Sequence, residues 1–123
     1  MAVTLSTQDL ERISDANEVL IETRARGRVF ATVIWVAVDQ GEVFVRSVRG
    51  HAGRWFQRVL ADPEVSLRVG DTRFRFRAMP AADDDSVRRT SDGLSAKYPQ
   101  GRSLDAMLRP EVLDTTLLLD PRP

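Results

Sequence analysis

The chain has 123 residues, of which 42% are hydrophobic, and its 18 basic residues balance 18 acidic ones. These values predict one globular domain over residues 1–123, and zero net charge gives no general attraction to nucleic acid or membrane. The absence of cysteine excludes disulfides and thiolate metal ligands, and the single histidine leaves little material for a histidine metal site, so we expect no metal. Because no apolar run approaches the ~20 residues that span a bilayer, we expect a cytoplasmic protein.

The first half of the chain predicts a helix followed by strands. Ser6 or Thr7 can cap the helix, and apolar residues follow at helical spacing. The run at residues 29–38 is rich in β-branched and aromatic residues and has no breaker, so it predicts one long strand. Residues 39–41 then form a hairpin connection. The strands expected in this half are residues 19–23, 29–38 and 42–46.

The second half of the chain combines short helices with a further hairpin. Pro63 ends one helix, because the residue before a proline disfavours helical backbone. Consecutive acids at residues 83–85 suit the positive end of another helix. The elements expected here are helices at residues 54–61, 83–98 and 103–108, and strands at residues 64–69, 72–79 and 112–119.

Tight connections between most of the six expected strands favour a closed or partly closed antiparallel barrel. The fold class is therefore mainly β (α+β), with short flanking helices. The long strand carries apolar residues on both faces, with Ile34 on one and Val33 on the other. One face can fill the barrel and the other needs a cover. A second copy of the chain is the simplest cover, so this pattern predicts a homodimer.

A stripe of arginines marks the strand at residues 72–79. Nucleic-acid binding would need exposed aromatic side chains among these arginines, but Phe74 and Phe76 point to the opposite face. We therefore expect no nucleic-acid partner, and we expect the stripe to be exposed and paired with the acids at residues 83–85. The stripe comprises Arg73, Arg75 and Arg77, with Arg68 nearby.

The stretch from residue 22 to residue 69 resembles the split-barrel flavin-binding superfamily. It carries, in order, R-x-R-G-R, V-I-W-V, D-Q-G-E-V-F-V-R-S, G-x-x-x-R-W-F and A-D-P-E-V. The superfamily includes the pyridoxamine-phosphate oxidase-like and the deazaflavin-dependent nitroreductase-like proteins. Within it, the chain looks most like a bacterial family of unknown function, DUF2255. It departs from the nitroreductase-like pattern at Asp62, where that pattern has asparagine, and its loop has fewer glycines.

This resemblance implies a six-stranded antiparallel split β-barrel that binds FMN or the deazaflavin coenzyme F420. It also implies an oxidoreductase that passes hydride to a small organic substrate, with the cofactor carrying the hydride. Some members of the superfamily bind no cofactor. The alternative is a non-enzymatic module that holds another small ligand or a protein, and it is favoured by the departure at Asp62 and by the scarcity of candidate catalytic groups.

The segment between the returning strand and the helix at residues 54–61 is the candidate anion site. Its glycines let backbone amides approach a ligand, and its arginines supply guanidinium groups for a phosphate or a polyglutamate tail. The resemblance places cofactor contacts in the same segment. The alternative is a solvated turn whose arginines pair with surface acids. The candidate cofactor-binding residues are Arg46, Ser47, Val48, Arg49, Gly50 and Arg54.

Two tryptophans are candidates for the wall of a cleft that binds an aromatic ring. Trp55 has apolar neighbours at helical spacing, which favours a place in the core, while for Trp35 both interpretations stay open. No catalytic residue is assigned. His51 and Tyr98 are candidate proton donors, and an exposed side chain without a role is the alternative for His51.

Overall fold

The strands pair into one curled antiparallel sheet, with α-helices packed around it. The computed structural model describes residues 3–123. The strands are β1 (Val19–Ala25), β2 (Arg28–Ile34), β3 (Ala37–Asp39), β4 (Glu42–Val45), β5 (Glu64–Val69), β6 (Thr72–Pro80) and β7 (Leu117–Pro121), and the helices are α1 (Thr7–Asp15), α2 (Arg54–Ala61), α3 (Asp84–Lys97) and α4 (Arg102–Met107). The order across the sheet is β2-β1-β5-β6-β7-β4-β3. The α+β class and the antiparallel pairing are confirmed.

The run at residues 29–38 is two strands, which corrects the expected six strands to seven. β2 ends at Ile34, opposite Val19, and because β1 begins at Val19, β2 has no neighbour beyond that point. β3 begins at Ala37, opposite Phe44 of β4. β2 and β3 form the two edges of the sheet. Because the link between them can span only ~11 Å, the edges lie near each other at this corner and the sheet curls toward a barrel.

The last strand is shorter than the apolar pattern predicts. A 3₁₀ helix occupies Pro110–Thr115, and β7 starts only at Leu117. Proline suits the first position of a helix, and the Thr116 hydroxyl donates to the Leu113 carbonyl at 2.7 Å. These local interactions favour the turn over an extended strand. β7 then pairs with both β6 and β4 and joins the two halves of the sheet.

The expected helix starts and the alternation of the second hairpin are confirmed. The Ser6 hydroxyl accepts a hydrogen bond from the Asp9 N–H at 3.0 Å and caps α1. Apolar side chains of β5 and β6 share the core with residues from β1, β4, α1, α2 and β7. Within residues 3–123, no helix combines the length and apolar character needed to cross a membrane.

The arginine stripe on β6 is exposed, as expected, but its ion pairs differ from the expectation. Arg73 pairs with Glu22 and Arg77 pairs with Glu64, while Asp83 caps the start of α3. The expected pairing with the acids at residues 83–85 is therefore wrong. Glu64 lies directly opposite Arg77 in the β5–β6 register, and such cross-strand neighbours meet more readily than residues on a separate helix.

Candidate functional site

A cleft of about 850 Å³ lies on the side of the sheet where β2, the loop after β4 and two helices converge. Its volume falls within the ~300–1,000 Å³ typical of small-molecule sites. β2 and the corner after it supply residues 30–35, and the loop supplies residues 46–49. The start of α2 supplies Arg54 and Trp55, and α4 supplies Arg102 and Ser103.

The cleft brings together seven of the eight residues that the sequence singles out for cofactor binding. The exception is Gly50, which is buried behind the loop with a φ of +62°. A Cβ at this position would lie 3.3 Å from the Glu111 carbonyl. Both this close contact and the positive φ favour glycine here. The seven that line the cleft are Trp35, Arg46, Ser47, Val48, Arg49, Arg54 and Trp55.

Ser47 organises the loop through its own hydrogen bonds. Its hydroxyl donates to the Gly50 carbonyl at 2.8 Å, and its N–H donates to the Thr115 hydroxyl at 3.1 Å. The Gly50 N–H closes the turn by donating to the Ser47 carbonyl at 2.9 Å. A Cβ on Gly53 would collide with the Ser47 hydroxyl, so the chain enters α2 in close contact with this serine. These hydrogen bonds and this contact stabilise the loop at the cleft.

The Arg46 side chain is buried, and its donors are used inside the protein. Its guanidinium donates to Thr116 Oγ1 at 2.9 Å and Ser91 Oγ at 3.0 Å, and to the carbonyls of Met107 and Val87 at 3.1 Å each. Desolvation by burial lowers the pKa of Arg46 to about 10. The residue thus ties the end of β4 to α3, to α4 and to Thr116, which immediately precedes β7. It places a positive charge in the wall of the cleft while leaving few donors for a ligand.

Three exposed arginines supply the available positive charge at the cleft. Among residues 3–123, no carboxylate forms an ion pair with Arg49, Arg54 or Arg102. Arg58 is engaged, since its Nε donates to Thr23 Oγ1 at 2.8 Å and its guanidinium lies over the Phe30 ring at 4.3 Å. The positive charges of Arg49, Arg54 and Arg102 favour an anionic ligand.

The two tryptophans occupy different environments. Trp55 is buried in the core with an edge-to-face contact to Phe56, as its helical spacing indicates. Trp35 is half-buried at the corner between β2 and β3, with its indole stacked on the Tyr98 ring at a centroid distance of 3.9 Å. Trp35 therefore provides a flat side chain at the cleft.

Neither candidate proton donor lines the cleft. The Tyr98 hydroxyl is buried, donates to the Asn17 carbonyl at 2.7 Å and accepts the Val36 N–H at 3.1 Å. Desolvation raises the pKa of Tyr98, which keeps it neutral. His51 is exposed, with its Nε2 2.9 Å from Asp114 Oδ2. Across residues 3–123, no three His, Cys, Asp or Glu side chains cluster as metal ligands would.

Sequence reasoning missed Arg102 and Ser103. They lie about 50 residues beyond the loop, and they reach the cleft because α4 packs beside the end of β4 through Arg46 and Met107. Nothing local in the sequence marks these two residues. One face of the long strand expected at residues 29–38 was predicted to be covered by a second copy of the chain. Residues 30–34 of this run form one side of the cleft.

Solved structures with the same architecture share little sequence with this chain. A conserved hypothetical protein from Mycobacterium tuberculosis is 18% identical, with a TM-score of 0.75, covering 99% of this chain and 83% of that one. A candidate pyridoxamine 5'-phosphate oxidase from Listeria innocua is 14% identical, with a TM-score of 0.69, covering 94% and 92%. An F420-H2-dependent reductase is 16% identical, with a TM-score of 0.63, covering 85% and 94%.

These similarities establish the fold alone, which is the split barrel of the pyridoxamine-phosphate oxidase-like proteins. No curated protein matches the sequence. A family model for uncharacterized proteins conserved in bacteria, DUF2255, matches residues 9–119. Since this match spans nearly the whole chain, the protein belongs to the DUF2255 family.

Proposed function

We propose that the protein binds FMN or coenzyme F420 in the cleft and acts as an oxidoreductase on a small organic substrate. The observation that carries this proposal is the pairing, in one cleft, of a flat aromatic side chain with arginines that have no carboxylate partner in the described chain. Both cofactors combine a flat ring system with an anionic tail. The shared fold with the reductase and the candidate oxidase supports the same ligand class.

The ring of the ligand stacks near Trp35, and the tail meets the loop. Arg49 and Arg54 supply charge-assisted hydrogen bonds at the loop, and Arg102 supplies a further cation from α4. Arg46 contributes its positive charge and holds the loop, because its hydrogen bonds go to protein oxygens. The charge of Arg46 in the cleft wall is weakly screened by solvent, since the residue is only 2% exposed.

A homodimer would complete this cleft. β2 is an edge strand with apolar side chains toward solvent, including Val29 at 61% and Val33 at 56% exposure. Exposed apolar side chains on an unpaired edge favour association. Because Val33 also lines the cleft, a second copy seated on β2 would close the site from that side. Such a cover excludes water from the ring of the bound ligand.

The bound cofactor supplies the hydride chemistry. The chain orients the ring with Trp35, binds the tail with arginines and shields the site with the partner's β2. The two candidate proton donors, His51 and Tyr98, both lie outside the cleft, so no side chain is assigned as the proton donor.

Titration with FMN and with coenzyme F420, followed by fluorescence anisotropy at two salt concentrations, tests the proposal. We expect saturable binding of one cofactor that weakens at high salt. The R49A/R54A variant should bind at least tenfold more weakly, because losing even one charge-assisted hydrogen bond costs about 1.5 kcal/mol or more. The matched control is R24A/R75A, which removes two exposed arginines outside the cleft and should leave the affinity unchanged.

Absorbance changes on mixing the loaded, reduced protein with small organic acceptors then test hydride transfer. If neither cofactor binds, the flavin proposal is wrong, and the alternative is the non-enzymatic module that holds another anionic ligand. Equal losses in R49A/R54A and R24A/R75A would instead contradict the assignment of the tail site.

A further inference from the structure

The corner between β2 and β3 is held by the C-terminal end of α3. Val36 pairs with neither β1 nor β4, so its backbone groups need other partners. Its N–H donates to the Tyr98 hydroxyl at 3.1 Å, and its carbonyl accepts from Lys97 Nζ at 3.0 Å. The Tyr98 hydroxyl also donates to the Asn17 carbonyl at 2.7 Å, which ties the corner to the chain before β1.

Tyr98 also covers one face of Trp35. The two rings are nearly parallel, with an angle of 3° between their planes and a centroid separation of 3.9 Å. Tyr98 is 3% exposed and does not line the cleft, whereas Trp35 is half-buried and does. The indole therefore stands between the buried tyrosine and the cleft. A ring packed in this way has little freedom to rotate.

We propose that Tyr98 is a positioning residue of the cleft, which fixes the plane of the Trp35 indole so that the flat ring of the ligand stacks against it. The ring of Tyr98 does this through the stack, while its hydroxyl stabilises the backbone of the corner. A wall that is ordered before binding lowers the entropy cost of stacking. The identity of the ligand in this inference rests on the proposed function, but the ordering of Trp35 does not.

Two substitutions separate the ring of Tyr98 from its hydroxyl. Y98F and Y98L both remove the hydroxyl and leave the Val36 N–H without its acceptor, so both should lower the melting temperature. Only Y98L removes the stacked ring. We expect Y98F to bind FMN or coenzyme F420 within about threefold of the unmodified protein, and Y98L to bind about threefold to tenfold more weakly than Y98F.

Phe76→Leu is the matched control for loss of a buried ring. Phe76 lies in the core and does not line the cleft. This variant should lose stability without losing cofactor affinity. If Y98L binds the cofactor as tightly as Y98F, or if F76L loses as much affinity as Y98L, the positioning role is wrong.

A measurement without cofactor keeps the inference independent of the proposed function. Trp35 and Trp55 are the two tryptophans, so in a W55F background the tryptophan signal reports Trp35 alone. We expect Y98L in this background to lose near-UV circular dichroism and to lower the steady-state anisotropy of Trp35, while Y98F retains both. Unchanged signals in Y98L would overturn the inference even if the cofactor binds.

If Y98L does not fold, W35L replaces it in the binding assay. Trp35 is half-buried at the cleft, so its loss affects the wall more than the core. We expect W35L to lose cofactor affinity by a similar factor, and normal binding by W35L would overturn the inference. If the unmodified protein binds neither cofactor while Trp35 still depends on Tyr98, the proposed function fails and the positioning of the indole stands.

Discussion

Glu22 on β1 and Arg73 on β6 form a two-pronged ion pair that reaches across the intervening strand β5. The Arg73 Nε lies 2.5 Å from Glu22 Oε1, and its Nη2 lies 3.1 Å from Oε2. Glu22 is nearly buried, while half of the Arg73 side chain is exposed. The carboxylate is thus the member that depends on the pair, because it has lost most of its contact with water.

This pair predicts a loss of stability in acid. The hydrogen bond from Arg73 is the main cause that lowers the pKa of Glu22. A carboxyl whose pKa is lower in the folded state contributes stability above its unfolded pKa, and the contribution is lost as the pH falls through the folded pKa. We expect E22Q to lower the unfolding free energy at pH 7 by about 1 kcal/mol. Urea denaturation of both proteins from pH 7 to pH 3 measures the difference in unfolding free energy between E22Q and the unmodified protein. This difference should shrink toward pH 3, and a constant difference would contradict the assignment.

Lys97 predicts a further rise of stability with pH, in the basic range. Burial lowers the pKa of Lys97 to about 8, although the nearby Asp15 opposes the shift. The unfolded chain therefore binds more protons than the folded one between pH 8 and the ordinary lysine value, and the unfolding free energy rises across that range. We expect a rise of about 1 kcal/mol from pH 8 to pH 10 after allowing for solvent screening.

The K97M variant is the test of this rise. It removes the titrating group, so its unfolding free energy should lack the increase between pH 8 and pH 10. It also removes the donor to the Val36 carbonyl, which lowers stability at every pH. An increase of equal size in K97M would assign the effect to another group.

The contact between Gly53 and Ser47 predicts a coupled pair of substitutions. A Cβ at Gly53 would collide with the Ser47 hydroxyl, so G53A should cost about 1–3 kcal/mol through overpacking and shift the loop at the cleft. S47A creates room for the new methyl group. The double variant S47A/G53A should therefore lose less unfolding free energy than the two single variants lose in sum. Denaturant unfolding of the unmodified protein and the three variants measures these losses. Simple additivity would argue against the collision.

A charge on the exposed apolar face of β2 should prevent association of two copies of the chain. V33D should dissociate the proposed homodimer, because a carboxylate in an apolar interface loses its hydration without gaining a partner. Leu60 on α2 is exposed to nearly the same extent, 57% against 56% for Val33, so L60D is the matched control. Sedimentation velocity should show a monomer for V33D and the unmodified assembly for L60D. A V33D protein that sediments as the unmodified protein does would place the interface elsewhere.

Local patterns in the sequence determined much of this protein. The cap at Ser6, the two hairpins, helix α2 and the inward face of β6 all depend on residues within a few positions of each other. The loop after β4 was also visible, because glycines and arginines between a strand and a helix are a local signal. Seven of the eight expected site residues consequently line one cleft.

The tertiary structure decided the features that join distant parts of the chain. The break between β2 and β3 at Trp35 and Val36 has no local signal, because the run is β-rich throughout. It depends on the start of β1 at Val19, beyond which β2 has no paired neighbour, and on Tyr98, which lies 62 residues after Val36. The burial of Arg46 depends on oxygens supplied by α3, α4 and Thr116. Propensity and periodicity report the preferences of neighbouring residues, whereas these contacts follow from the order of strands in the sheet, which brings together residues that are far apart in the sequence.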